Sequence, residues 1–406
     1  MFMRFGQQFV NQKYTYYLVF VLYSSVLKHQ LSLIRQPLMA ALPLAGIRIL
    51  SLAEQYPGPF ATMLLADLGA DVILIERPDG GDPSRRFPGL FSSLNRNKRS
   101  VTLDLKSSSG KEQFLQLVDT ADVVIEGFRP GVMARLKLDA DTLRTRKPSL
   151  VFTSISSFGQ NGPMAGVAGH DISIQGSVGM LDVPQGQEAN ATLPVLPLAD
   201  ISSAMFAALG VVTALFARSQ SGKGAQIDVS MFDSLVCWMT PFLVPVMNQQ
   251  PIRPLPPEDP GYGLFGTADG RQITLSIAGE DHMWRALCEL IGLEEFAGLP
   301  ELERNARNQE IDPHLRNAIA GRSFDWLCQN LEAERIAFGP VLKAEDVVQD
   351  AHVNARRMVV EIEGQYKNAQ KKERFIRQPL ILDGQIGTIA RPAPGLGQHN
   401  SEILGG

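Results

Sequence analysis

The sequence is poor in the residues that build the simplest kinds of site. Its three cysteines, Cys237, Cys288 and Cys328, stand far apart with no Cys-x-x-Cys spacing. Neither a disulfide framework nor a thiolate metal site follows, and no metal is expected. Small apolar side chains packed in a reducing cytoplasm are the expectation for all three. The charge balance lacks a basic excess: the formal net charge is -4, which excludes the electrostatic footprint of a nucleic-acid binder. The first strand–helix–strand pattern carries no Gly-x-Gly-x-x-Gly, which argues against a nicotinamide dinucleotide site. The apolar run Tyr16–Leu27 is short of the ~20 residues that span a bilayer. The Lys28-His29-Gln30 that follows is no small-residue cleavage site, so no membrane partner is expected. There is no internal repeat.

What is present is alternation. Gly46–Leu52 and Asp71–Glu76 read as buried strands around a helix, Phe60–Leu68, that is introduced by two prolines and stopped by Gly69. Ser100–Leu105, Ala121–Glu126, Leu150–Ser154 and Ala225–Val229 read as further strands, and Ser109–Asp119 as a helix. Strands alternating with helices imply parallel pairing through right-handed crossovers. Ile201–Ala217 is apolar almost all round and is expected to be deeply buried. Proline is dense from Gln249 to Pro260, as in a linker. Gly263–Ala278 then reads as a hairpin and Glu280–Ile291 as a helix, with polar helices to about Leu331. The segments Pro340–Asp350 and Arg391–Gly406 lack a core of their own and are expected to return to the first domain.

Cations recur where strands end: Arg77, Lys106, Arg129 and Arg135 stand on the rim where open parallel sheets bind ligands, and as a group they suit a phosphorylated ligand. Between Gly80 and Arg99 the chain reads as a polar, basic loop through Arg85, Arg86, Arg96, Lys98 and Arg99. The stretch from Gly169 to Leu209 is mostly apolar and glycine-rich, yet holds His170, Asp171 and Asp200. An imidazole and a carboxylate at the ends of regular elements can exchange protons across one substrate carbon. The plainer alternatives stand beside this: Asp200 as a helix N-cap, His170 as a loop residue bonded to backbone, Asp171 as an orienting group, and Glu280 as a helix-start acid.

The ordered motifs resemble a known family. Gly-Ile-Arg-Ile-Leu with Pro-Gly-Pro-Phe opens the match, and Leu-Ala-Asp-Leu-Gly-Ala-Asp-Val-Ile-Leu-Ile-Glu-Arg-Pro follows. Then come Asn-Lys-Arg-Ser-Val-Thr-Leu-Asp-Leu-Lys, Phe-Arg-Pro-Gly-Val, Gly-Lys-Gly-Ala-Gln-Ile-Asp and the tail Gly-Gln-His-Asn-Ser-Glu-Ile-Leu. From Leu44 to Leu404 the chain is similar to the class III CoA-transferases (CaiB/BaiF-like) and their relatives the α-methylacyl-CoA racemases. The resemblance implies an α/β fold: a Rossmann-like open parallel sheet as the large domain, an inserted smaller α+β domain, and an interlocked homodimer. On that analogy residues 1–38 are an extension that is disordered or not native. Residues 39–230 are the first part of the large CoA-binding domain, 231–262 a linker helix and loop, 263–335 the small domain, and 336–406 the return to the large domain.

The resemblance also implies an acyl-CoA substrate and no tightly bound cofactor, coenzyme A entering as part of the substrate. CoA-contacting positions fall on Arg77, on Leu103, Asp104, Leu105 and Lys106, on Gly127, Phe128 and Arg129, and on Arg135. The acyl pocket is expected between the Met180–Thr192 and Phe242–Tyr262 loops. Two chemistries share this scaffold. In the transferases an aspartate at the position of Asp200 attacks the thioester, forms a mixed anhydride and then an aspartyl-CoA thioester. In the racemases the same aspartate works with a histidine on the α-proton, and Gly169-His170-Asp171 matches the racemase wording. Glu280 falls near a position that supports the histidine. The leading expectation is therefore a racemase of 2-methyl-branched acyl-CoA using His170 and Asp200. Transfer of CoA between carboxylic acids through Asp200 is the alternative, and a non-catalytic CoA-binding scaffold a third reading.

Overall fold

Alternating strands and helices fill the first half of the chain in the computed structural model, which describes residues 42–182, 195–252, 259–363 and 372–405. The expected extension over 1–38 and most of the Met180–Thr192 loop lie outside the described residues. Six strands, β1 (Arg48–Ser51), β2 (Asp71–Glu76), β3 (Lys98–Thr102), β4 (Val123–Glu126), β5 (Val151–Ser156) and β6 (Gln226–Ser230), form one parallel sheet in the order β3-β2-β1-β4-β5-β6. Successive strand residues point to opposite faces. Ile49, Val72 and Val123 enter a layer with the helices Pro57–Asp67 and Leu198–Ser221. Their neighbours Leu50, Ile73 and Val124 enter a second layer with the helix Ser108–Thr120. Both faces are covered, which is why the strands read as continuous apolar runs rather than alternating ones.

Three expectations are corrected. The basic loop between Gly80 and Arg99 folds inward as a short 3-10 turn, a helix at Pro88–Asn95 and β3. Three of its cations pair with acids: Arg96 with buried Asp67 at 2.7 Å, Arg85 with buried Glu76 at 2.6 Å and Arg99 with half-buried Asp71 at 2.6 Å. Lys98 is fully buried and donates to Pro59 O and Asn95 Oδ1. Burial pushes its pKa well below the usual lysine value. Charge counted along a sequence does not reveal that three of these cations have an acid to meet in the folded chain.

The second correction concerns Leu198–Ser221. One side packs on the sheet through Ala204, Ala207, Val211 and Ala214. The other side leaves Met205, Leu209, Val212 and Phe216 between 40% and 67% exposed. Their spacing of four, three and four residues keeps them on one side of the helix. The third correction is a boundary. β7 (Tyr262–Gly266) and β8 (Gln272–Ser276) form the hairpin, and β9 (Phe338–Pro340) pairs antiparallel with β8. The chain therefore stays with the small sheet past residue 335. This sheet packs on helices including Asp281–Ile291 around buried Trp284, whose indole N–H donates to Phe296 O at 2.8 Å.

The C-terminal tail returns to β3: His399 Nδ1 accepts from Ser100 N, Asn400 Oδ1 accepts from Thr102 N, and Glu402 pairs with Arg99. At the other end of this region the buried pair of Arg96 and Asp67 fixes the helix Pro57–Asp67 against the strand-β3 side, with 3% and 1% of the side chains exposed. Removing one partner of such a pair leaves an uncompensated buried charge. Arg96→Met is expected to lower the unfolding free energy by about 3–5 kcal/mol, measured by urea denaturation. A loss below about 1 kcal/mol would mean that Asn97, which also donates to Asp67, satisfies the carboxylate by itself.

Candidate active site

The connections leaving β1 and β4 depart on opposite faces: the helix after β1 lies in one layer and the residues after β4, from Met133 to Leu143, lie in the other. Between two strands that part in this way a crevice opens at their carboxyl ends. A cavity of about 330 Å³ lies there, lined by residues that follow β1, β4 and β5 and by His170 and Asp200. The walls are close. A Cβ on Gly58 would lie 2.0 Å from Ala53 Cβ, and one on Gly127 would lie 3.2 Å from it. Glycine at Gly58 is what lets the helix start press on the end of β1.

Asp200 reaches the cavity from the first turn of Leu198–Ser221. Pro197 at its N-cap makes no side-chain cap, so the first amides of the helix need an outside acceptor. Asp171 provides it: Asp171 Oδ1 accepts from Ala199 N at 2.7 Å and Asp200 N at 3.3 Å, and Gln175 Nε2 donates to Asp171 Oδ2 at 2.6 Å. Asp171 was expected beside the reacting pair as an orienting group for His170 or the loop. Its carboxylate is instead committed to the helix that carries Asp200, and it does not line the cavity. Burial pushes the Asp200 carboxyl up to about 7, and the neighbouring negative charge of Asp171 pushes the same way.

His170 lies on the cavity wall, exposed, just before the helix Asp171–Ser177, where its N–H donates to Ser173 Oγ at 2.9 Å. The structure thus brings His170 and Asp200 to one cavity. Glu280 is not brought there. It starts the helix Asp281–Ile291 beside the small sheet, and its carboxylate accepts from Ala278 N at 2.8 Å. That bond and the backbone N–H of Glu280 itself hold its carboxyl below the ordinary value.

Of the residues expected to contact CoA, Gly127, Phe128 and Arg129 line the cavity. Arg77 lies outside the lining, where its Nε donates to Gly81 O at 2.9 Å. Leu103 is in the core and Leu105 packs against it. Asp104 Oδ1 accepts from Lys106 N, ordering the turn into Ser108–Thr120. Lys106 and Arg135 are exposed and do not line the cavity. Among the described residues no group of three or more His, Cys, Asp and Glu side chains could hold a metal ion.

Among the lining residues not singled out from the sequence are two titratable ones, Glu54 and Tyr56. Burial pushes the Glu54 carboxyl up to about 7; Asp82 and Glu76 add to the rise and Arg77 opposes it. Burial also raises the Tyr56 phenol, with further contributions from the charges of Asp200 and Asp171. The usable signal was positional: both follow β1, the strand at which the order of the sheet reverses.

A family model described as CoA-transferase family III matches residues 44–400. The chain is 33% identical over 390 residues to a succinate–glutarate CoA-transferase of Agrobacterium fabrum, covering 89% of this chain and 95% of that one. It is 32% identical over 346 residues to an acetyl-CoA:oxalate CoA-transferase of Acetobacter aceti, covering 79% and 86%. The crystal structure of a CaiB/BaiF family protein from Brucella suis superposes with a TM-score of 0.79 at 28% identity, over 89% of this chain and 98% of that one.

A carboxyl raised to about 7 has a sign in folding. Between the ordinary carboxylate range and that value the folded chain keeps a proton that the unfolded chain has released, so stability falls as pH rises through this window. Asp200→Asn is expected to raise the melting temperature, with a gain that grows from about pH 5 to about pH 8. A gain that stays flat over that range would show a carboxylate that water solvates as well in the folded chain as in the unfolded one.

Proposed function

The chain belongs to CoA-transferase family III, and from that premise we propose that it moves coenzyme A between carboxylic acids with Asp200 as the covalent nucleophile. The observation that carries this reading is a half-buried carboxylate, Asp200, on the wall of a cavity at the carboxyl edge of the sheet. Most of the chain around it matches proteins named as CoA-transferases. These relatives favour transfer over the α-proton exchange that His170 had suggested, so the racemase reading takes second place.

The chemistry follows from what the side chain is. The Asp200 carboxylate attacks the thioester carbonyl carbon, the C–S bond breaks, and the CoA thiolate leaves with the electron pair. The product is a mixed anhydride of Asp200 and the acyl group. The thiolate then attacks the Asp200 carbonyl carbon, the donor carboxylate leaves, and an aspartyl-CoA thioester remains. An acceptor carboxylate runs the two steps in reverse. No proton is consumed, so the sequence needs an ionised Asp200 and no general base. Arg129 on the cavity wall offers the cation that a CoA phosphate or a second carboxylate requires.

The exposed stripe of Met205, Leu209, Val212 and Phe216 supports a homodimer, since a contiguous apolar seam at helix spacing is costly to leave in water. Leu209→Glu with Phe216→Glu is expected to convert a species of twice the 44.4 kDa chain mass into one of that mass in sedimentation velocity. Wild type sedimenting as a single chain would remove the dimer.

Transfer itself is tested with acyl-CoA donors and free carboxylate acceptors. Wild type is expected to form the acceptor thioester and to yield a hydroxamate at Asp200 when hydroxylamine is added during turnover. Asp200→Ala is expected to lose at least about 1000-fold in kcat, the scale of losing a covalent nucleophile. Deuterium incorporated at the α-carbon of a 2-methylacyl-CoA, with no acceptor thioester formed, would establish proton exchange in place of transfer.

A further inference from the structure

We propose that the Tyr56 hydroxyl is the hydrogen-bond donor to the oxyanion that forms at the acyl carbon when Asp200 is acylated and when it is released. This rests on the transfer reading. Each attack in that sequence, on the thioester, on the anhydride and on the aspartyl thioester, turns a planar carbonyl into a tetrahedral centre with negative charge on oxygen. That charge needs a donor already in place, and a donor fixed in a dry cleft is worth far more than one in water.

Tyr56 lies on the wall of the same cavity as Asp200, half-buried, at the point where the chain leaves β1. Its phenol carries one O–H and no charge. Burial and the nearby Asp200 and Asp171 carboxylates raise its pKa, so it is a neutral donor at the pH where Asp200 begins to ionise. A neutral donor suits steps in which no proton is transferred.

The backbone around it is held harder than a filler residue would need. Gln55 has φ +66°, the left-handed region that a side chain enters at a cost of about 1–2 kcal/mol. Asp82 holds it there, its carboxylate accepting from Gln55 N at 3.1 Å. Asp82 is fixed in turn, its N–H donating to Glu76 Oε2 at 3.0 Å, while Glu76 is clamped by Arg85. On the other side Lys98 Nζ donates to Pro59 O at 2.9 Å, pinning the first turn of the helix that Tyr56 introduces. The Tyr56 ring stacks on Phe60 with centroids 6.1 Å apart and planes at 27°, which limits where the hydroxyl can go. Strain maintained from several directions beside a cavity is the pattern of a residue whose direction matters.

Tyr56→Phe removes only the hydroxyl and keeps the stacked ring. It is expected to lower kcat about 100-fold while KM for acyl-CoA changes less than about threefold, the pattern of a contact made only in the transition state. Single-turnover acylation of Asp200, read as hydroxamate formed on rapid addition of hydroxylamine, should slow by the same factor, and the melting temperature should match wild type. A kcat within about threefold of wild type, a loss confined to KM, or a melting temperature lowered by more than a few degrees would each overturn the proposal. Wild-type transfer with an undiminished Tyr56→Phe defeats this inference alone. A wild type that transfers nothing, and behaves as Asp200→Ala does, defeats the transfer reading and this inference with it.

Discussion

Everything at the site follows from the parting of β1 and β4. In the order β3-β2-β1-β4-β5-β6 the crossover after β1 must turn to one face and the crossover after β4 to the other. The carboxyl ends of those two strands therefore cannot be covered by a single connection. The crevice is a consequence of connectivity and exists before any side chain is chosen. Side chains then decide what it does. Ala53, Gly58 and Gly127 are small enough for the walls to close to contact distance, and Tyr56, His170 and Asp200 reach it from three separate parts of the chain.

The acids of this domain divide by whether a cation reaches them. Asp67, Asp71 and Glu76 are paired with Arg96, Arg99 and Arg85. Burial works against the Glu76 carboxylate, yet hydrogen bonds from Arg85, Ser100 and Asp82 N hold it below its ordinary value. Among the described residues Glu54, Glu126 and Asp200 form no ion pair, and each is raised to about 7, by burial before all else. Glu126 ends β4, and its carboxylate accepts from Phe128 N at 2.8 Å, directly beneath the Gly127–Arg129 wall. Structural acids neutralised by arginine and unpaired acids gathered at one strand edge make a division that marks a functional region.

The sheet was legible because buried parallel strands announce themselves as apolar runs of fixed length. Asp71–Glu76 lies where periodicity puts it, and the helix after β1 begins at Pro57, with its prolines at the start. What was not legible depended on partners distant in sequence. Arg96 and Lys98 read as part of a basic loop because Asp67 and Pro59 O meet them only in the folded chain. Ile201–Ala217 read as buried almost all round because composition cannot separate a face packed on its own sheet from a face left bare. Asp171 read as an orienting group, but what it orients was hidden, because accepting from Ala199 N joins residues on two different helices.

The elevated Asp200 suits a nucleophile for a reason beyond its charge state. A carboxylate in water is a poor nucleophile because its lone pairs are committed to solvent. Burial that makes the anion costly also frees those lone pairs, so part of the desolvation is already in place when the thioester arrives. Asp171 adds to the rise by placing its own charge on the same turn, where it takes the amides of Ala199 and Asp200. The balance leaves a group that is ionised in a useful fraction near neutrality yet weakly solvated. Asp171 shapes the proposed nucleophile from outside the cavity, by spending its charge on the helix that holds Asp200.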